Sequence, residues 1–210
     1  MGSQFCSVSR RGLRTFPVVL LLAATLVGCT DARFLFSGLD LPFNLHELDP
    51  GKAYRSAQPT GFELENAIDL LDLKTVINLR GYHAGDPWYD EEAQICQEMG
   101  VTLVDFRMSG RSLPEPELLE AIVETLQTAQ YPILIHCLGG ADRTGGVSAV
   151  YRMLIAGDDR ATAMQQLSPS FLHFPIRYPC MDYLAQIYES TDEWLIEYAE
   201  NYDQYQCGYE

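Results

Sequence analysis

Three aliphatic residues, Ile133, Leu134 and Ile135, run without a break into His136-Cys137-Leu138-Gly139-Gly140-Ala141-Asp142-Arg143-Thr144-Gly145. The segment Pro132 to Ile135 reads as a short buried strand, and Gly145 to Ile155 reads as the helix behind it. Cys137 therefore stands where a strand ends, and Arg143 stands where a helix should begin, with five residues between them. A turn of this kind can aim consecutive backbone N–H groups, and the positive end of the helix, at one point. Arg143 can fork onto two phosphate oxygens there. The same field favours an anionic sulfur on Cys137, which makes it a candidate nucleophile.

The chain around this turn alternates strands and helices. Ala53 to Ser56 reads as a short strand before a Gln58-Pro59 turn. Thr60 then caps a helix whose inner face is Leu64, Ala67, Ile68 and Leu71. Thr75 to Leu79 reads as a strand, Trp88 to Met99 as a helix stopped by Gly100, and Val101 to Phe106 as a strand. Glu115 to Ala129 is an amphipathic helix with Leu118, Leu119, Ile122 and Leu126 inward. Asp159 to Leu167 reads as helical, Ser168 to Pro179 as an aromatic loop, and two acidic helices follow. The expected fold is α/β: a central, mostly parallel sheet of four to five strands flanked by helices, with the phosphate loop between the last core strand and a helix.

The N-terminus reads as a targeting segment. Arg10, Arg11 and Arg14 precede the apolar stretch Phe16 to Val27, which is too short to span a bilayer. Leu26-Val27-Gly28-Cys29 then resembles a bacterial lipobox, with Cys29 the lipidated residue. The pair Arg10-Arg11 loosely resembles a twin-arginine export signal. The expected organisation is a signal peptide over 1–28, a tether over 29–49, and a catalytic domain with a helical extension over 50–210. The expected location is the bacterial cell envelope, lipid-anchored and facing the periplasm, with a soluble periplasmic form as the alternative. The whole chain carries a net charge of -15. Nothing in it resembles a basic stripe, so nucleic acid is not the expected partner. Cys96 reads as a core thiol, and in an oxidising compartment Cys180 could pair with Cys207.

At the loop the sequence resembles the cysteine-dependent phosphatases of the protein-tyrosine and dual-specificity type. Tyr54-Arg55-Ser56-Ala57-Gln58-Pro59 and Thr75-Val76-Ile77-Asn78-Leu79-Arg80 look like the opening motifs of their compact atypical members. The similarity covers roughly residues 50–170. It implies that Cys137 attacks phosphorus to form a phosphocysteine and that Arg143 holds the equatorial oxygens. It also implies that the amides from Leu138 through Gly139, Gly140 and Ala141 to Arg143 line the cradle, and that Thr144 donates to the Cys137 sulfur. His136 is expected to orient the loop.

For the general acid, Asp142 is favoured, since some bacterial relatives carry an aspartate immediately before the arginine. Asp105, 32 residues before Cys137, is the second candidate; its plain alternative is a strand-end carboxylate paired with Arg80 or Arg107. Arg80 and Arg111 are candidate substrate contacts, and Arg55 reads as a structural tie. His173 with Phe171, Phe174 and Tyr178 reads as a pocket wall or as satellite core.

The expected activity is metal- and cofactor-free hydrolysis of a phosphotyrosine protein or a small phosphoester. Inositol phosphates are the runner-up, disfavoured by the absence of lysine in the cradle. A non-catalytic phosphate-binding module and a rhodanese-like sulfurtransferase are the alternatives of other classes.

Overall fold

The structure, a computed structural model, describes residues 43–205 and 207. The expected signal peptide, Cys29 and the tether up to residue 42 lie outside the described residues.

The elements follow in the order β1 (His46–Asp49), β2 (Ala53–Ser56), α1 (Gly61–Leu71), β3 (Thr75–Asn78), α2 (Pro87–Met99), β4 (Thr102–Asp105), α3 (Pro116–Thr128), β5 (Ile133–His136), α4 (Asp142–Leu154), α5 (Arg160–Ala163), α6 (Pro179–Ile187) and α7 (Asp192–Glu200). Three short 3-10 turns, Met164–Gln166, Pro169–Phe171 and Tyr202–Gln204, complete them. The sheet order is β1-β2-β5-β3-β4. Only β1 runs antiparallel, so the sheet is mostly parallel, as the alternation of elements requires.

Two boundaries move from the sequence expectation. The strand β1 falls inside the stretch read as a tether, because Phe43, Leu45 and Leu48 are buried and pin it to the sheet. The helix α4 begins at Asp142, three residues before Gly145, which puts Asp142 and Arg143 in its first turn. Gly145 does not open the helix. It is a point of close approach, where a Cβ would stand 2.7 Å from Leu167 Cδ2 and 3.0 Å from the Gln166 carbonyl.

Alternation along the strands sorts the core into two layers. Ala53, Ile77, Ile133 and Ile135 face a cluster with α3, α4, α6 and α7. Tyr54, Val76 and Leu134 face a second cluster with α1 and α2. The C-terminal extension belongs to the first cluster. Tyr198 is fully buried and donates to the Pro114 carbonyl at 2.7 Å, and Tyr202 donates to the Leu113 carbonyl at 3.2 Å. Cys180 and Cys207 form a disulfide. The acidic C-terminal helices thus contribute to the core through Tyr198.

In-register pairing lines up the carboxyl ends of the strands. Ser56 pairs with His136, His136 with Asn78, and Asn78 with Asp105. The result is a polar row across the edge of an apolar sheet, the place where open α/β sheets bind ligands.

The N-terminus of α1 carries a capping box, in which Thr60 accepts from the Glu63 amide and Glu63 accepts from the Thr60 amide. Thr60→Ala should lower stability by about 1 kcal/mol, read as a lower denaturation midpoint at an unchanged denaturant slope.

Candidate active site

The loop after β5 is held by its carbonyls. The His136 carbonyl accepts from the Leu79 amide at 2.8 Å, and the Leu138 carbonyl accepts from the Gln58 amide at 3.3 Å. The Gly139 carbonyl accepts from Asn44 Nδ2 at 3.2 Å, and the Gly140 carbonyl from Arg55 Nη2 at 2.7 Å. The Ala141 carbonyl starts the α4 ladder, accepting from the Gly145 amide at 2.9 Å. Five donors thus hold these carbonyls, and a loop pinned this way can aim its amides at an anion above Cys137. The first-turn amides of α4 have no intrahelical acceptor and join them.

One glycine makes this path possible. Gly140 has φ +68, and a Cβ on it would stand 2.5 Å from the Ala57 amide nitrogen and 2.6 Å from the Ser56 carbonyl carbon. No rearrangement of a side chain can relieve that contact, because the neighbours are backbone. Gly139, by contrast, is exposed and has open space around it.

Cys137 is buried at the base of the loop and is not in a disulfide. Arg143, in the first turn of α4, donates to the carbonyls of Leu79 at 3.1 Å and Met108 at 3.3 Å. These bonds aim its guanidinium along the strand ends. Arg80 donates to Gln58 Oε1 at 2.9 Å and lies over the Trp88 ring at 3.3 Å. Burial and the Arg143 charge lower the pKa of Arg80, while Glu92, an anionic Cys137 and Asp86 oppose that shift. Arg111 is exposed on the loop after β4 and makes no side-chain bond that fixes it to the cradle.

Arg55 does more than tie a strand to the core. It is fully buried, donates to Gln166 through its carbonyl at 2.7 Å and its Oε1 at 2.8 Å, holds Gly140, and lies 4.1 Å over the Phe171 ring. Burial lowers its pKa to about 9, with the charge of an anionic Cys137 opposing the fall. It stays charged at neutral pH and adds to the positive field beneath the sulfur. Sequence reading missed this role because the contact with Gly140 joins residues 85 positions apart.

Three expected roles change, and His136 gains a partner. His136 and Thr144 are fully buried and cannot touch a substrate. His136 places Nε2 2.8 Å from Oε1 of the buried Glu92, at ion-pair distance though not aligned for a hydrogen bond. Thr144 is directed toward the Ser56 carbonyl at 3.5 Å rather than toward Cys137. Asp105 pairs with neither Arg80 nor Arg107. Its Oδ1 accepts from Asn78 Nδ2 at 2.8 Å, and its Oδ2 accepts from the Tyr89 hydroxyl. Burial and this bond raise the Tyr89 pKa. With both oxygens engaged at the strand end, Asp105 holds the polar row rather than a mobile loop. Finally, His173 is neither pocket wall nor satellite core: the ring is fully buried between Asp142 and Asp182, at 2.8 Å from each. Of its aromatic neighbours, Tyr178 does flank the site, since a Cβ on Gly110 would stand 3.4 Å from its ring and 3.8 Å from Arg143 Cγ.

A buried cysteine at the base of a loop with pinned carbonyls, followed by an arginine in the first turn of the next helix, is the arrangement of a cysteine-dependent phosphatase domain. Known proteins place it more narrowly. The chain belongs to the family described as DSP-PTPase phosphatase fused to NAD+ kinase, whose model matches residues 48–172. It is 32% identical over 120 residues to inositol diphosphatase DSP2 of Oryza sativa subsp. japonica, covering 54% of this chain and 55% of that protein. It is 27% identical over 131 residues to the dual specificity protein phosphatase TpbA of Pseudomonas aeruginosa strain UCBPP-PA14, covering 61% and 55%. The chain thus spans about half the length of the curated relatives it matches.

Solved structures show the same fold. TpbA of P. aeruginosa in complex with pTyr superposes with a TM-score of 0.57 at 20% identity, over 78% of this chain and 94% of that one. The core catalytic domain of the PP-IP phosphatase Siw14 from S. cerevisiae gives 0.59 at 22% identity, over 79% and 96%.

Gly140→Ala should remove phosphate binding, because the added methyl enters the β2 backbone and turns the loop amides off their centre. Titration with orthovanadate checks it: the variant should show no saturable binding where the unaltered chain does.

Proposed function

We propose that the chain hydrolyses phosphomonoesters through a phosphocysteine on Cys137, without a metal. The observation that carries this reading is the outward pinning of the loop carbonyls, which leaves the amides, Arg143 and the field of Arg55 to hold a phosphoryl group over the sulfur. In the first step the Cys137 thiolate bonds to phosphorus as the ester oxygen departs. Charge gathers on the equatorial oxygens, where Arg143 and the amides meet it without reorganising. In the second step water displaces the sulfur and releases phosphate. Asp142, at the mouth of the loop in the first turn of α4, is the proton donor this arrangement favours, since Asp105 is fully engaged at the strand end.

Phosphotyrosine or a small monoester fits the cradle best, because Leu138 to Asp142 contribute no cation. TpbA, whose structure was solved with pTyr, is a relative on this side. Inositol phosphates remain the second reading, supported by Arg80, Arg107 and Arg111 following the strand ends and by the inositol diphosphatases among the relatives.

We further propose export and lipid anchoring through Cys29. The lipobox-like Leu26-Val27-Gly28-Cys29 after Arg10, Arg11 and Arg14 supports it, and so does the Cys180–Cys207 pair, which suits an oxidising compartment.

The full chain, purified in detergent, should release phosphate from p-nitrophenyl phosphate in the presence of EDTA, and Cys137→Ser should abolish turnover. Activity that appears only on adding Mg²⁺ or Zn²⁺ would falsify the mechanism. A panel of phosphotyrosyl peptides and inositol phosphates then ranks the two substrate classes by kcat/KM. Separately, Cys29→Ser should move the protein from the membrane fraction to the soluble fraction of a bacterial host; an unchanged distribution rules out the lipid anchor.

A further inference from the structure

The phosphatase reading uses Asp142 but leaves the two groups behind it, His173 and Asp182, without a role. His173 Nδ1 lies 2.8 Å from Asp142 Oδ1, and its Nε2 lies 2.8 Å from Asp182 Oδ2. The ring is fully buried, whereas the Asp142 and Asp182 side chains retain 24% and 14% exposure. Asp142 sits in the first turn of α4, inside the phosphate loop, and Asp182 sits in the first turn of α6. Asp182 also lines an open cleft of about 460 Å³ with Pro175, Pro179, Tyr183, Gln186 and Cys207. The line of three groups therefore runs from the catalytic loop, through a dry imidazole, to a second solvent face.

Each contact sets a ring nitrogen against a carboxylate oxygen. A neutral imidazole has one N–H and can donate to only one of them. With a second proton among the three groups, both contacts become hydrogen bonds and the trio carries a single net negative charge. The titration of the ring agrees in direction. Burial alone would lower the His173 pKa, but the hydrogen bonds and charges of Asp142 and Asp182, the titratable groups that face it, raise it above 6.5.

We propose that His173, backed by Asp182, is the positioning residue that supplies Asp142 with the proton delivered to the leaving group. The inference rests on the phosphatase reading above. In the first half-reaction the Cys137 sulfur bonds to phosphorus, the bond from phosphorus to the ester oxygen breaks, and that oxygen takes, from the Asp142 carboxyl, the proton that Asp142 shares with His173 Nδ1. Asp142 is left as a carboxylate and His173 as a neutral ring with its one remaining proton on Nε2 toward Asp182. In the second half-reaction the oxygen of water bonds to phosphorus and the sulfur leaves with its electron pair. The proton lost by water returns through Asp142 to His173. Protons balance over the cycle, and no external acid is consumed. The second carboxylate has a physical reason to be there: without Asp182 the ring would hold its second proton only at lower pH, and Asp142 would have less to draw on.

The test uses the full chain with phenyl phosphate, whose leaving group needs protonation, and p-nitrophenyl phosphate, whose leaving group departs as the anion. Asp142→Asn should lower kcat on phenyl phosphate by about 10²–10⁴-fold and on p-nitrophenyl phosphate far less. His173→Gln should repeat that selective loss, by about 10–100-fold on phenyl phosphate, as the weaker effect of removing a proton source behind the donor. Asp182→Asn should move the alkaline limb of kcat on phenyl phosphate to lower pH, since removing the carboxylate lets His173 deprotonate sooner. A merely structural His173 would lower kcat on both substrates by one factor and leave the limb where it was, and that result overturns the proposal. Should His173→Gln not fold, Asp182→Asn decides alone: a moved limb supports the relay, and an unmoved limb sinks it. Failure of the phosphatase reading looks different, as an unaltered chain inactive on both substrates or a Cys137→Ser chain that retains turnover.

Discussion

The hydrogen bond from Arg55 to the Gly140 carbonyl is the contact on which the rest of the site depends. A loop of small residues has many paths, and ordering it costs about 1–2 kcal/mol per residue in backbone entropy. The carbonyl contacts select one of those paths, and the bond from Arg55 is charge-assisted, stronger than the neutral ones beside it. Burying a guanidinium is itself costly. The bonds to Gln166 and Gly140 and the face of Phe171 offset that cost, while removing a partner from such a buried charge typically costs about 3–5 kcal/mol. Arg55 thereby couples loop geometry to electrostatics, since the group that turns a carbonyl outward also places positive charge under the sulfur.

Behind the loop, the carboxyl edge of the sheet is a layer of polar groups with few alternatives. Asn78 bridges Asp105, the Gly81 carbonyl and the Arg80 amide, and Tyr89 closes the far side of Asp105. Glu92 and His136 face each other in the dry interior between α2 and β5. Such groups are expensive to bury unpaired, so each one restricts where its partner can sit. This rigidity suits a site whose chemistry is mostly positioning. The layer also engages both oxygens of Asp105 at the strand end, while Asp142 meets His173 instead.

The chain as a whole is strongly acidic, with a net charge of -15, yet the loops at the strand ends carry Arg80, Arg107, Arg111 and Arg143. At physiological ionic strength, charges more than about 8 Å apart in solvent are largely screened. The acidic helices α6 and α7 therefore do little to repel an anionic substrate that has reached the loop, while arginines at contact distance act at nearly full strength. The arginines grouped at this edge favour anion recognition there.

The alternation of strands and helices, the Thr60 cap and the stop at Gly100 were legible in the sequence, because they follow from local periodicity and backbone preference. So was the cradle: Cys137, Arg143 and the glycines between them lie within one turn, and short-range geometry leaves that turn little else to do. The N-terminal strand β1 was not legible, since its residues lack an alternating pattern and become a strand only by pairing with β2. Nor were the roles of Arg55, Glu92 and His173, whose partners lie 85, 44 and 31 residues away in sequence. Sequence favoured Asp142 as the acid and kept Asp105 as the second candidate. The fold gives Asp105 two partners, Asn78 on β3 and Tyr89 on α2, and sets Asp142 against the His173 ring. Sequence determined which groups are present and which local turn joins the cysteine to the arginine; only tertiary packing decided which partners each carboxylate meets, because those partners lie far away along the chain.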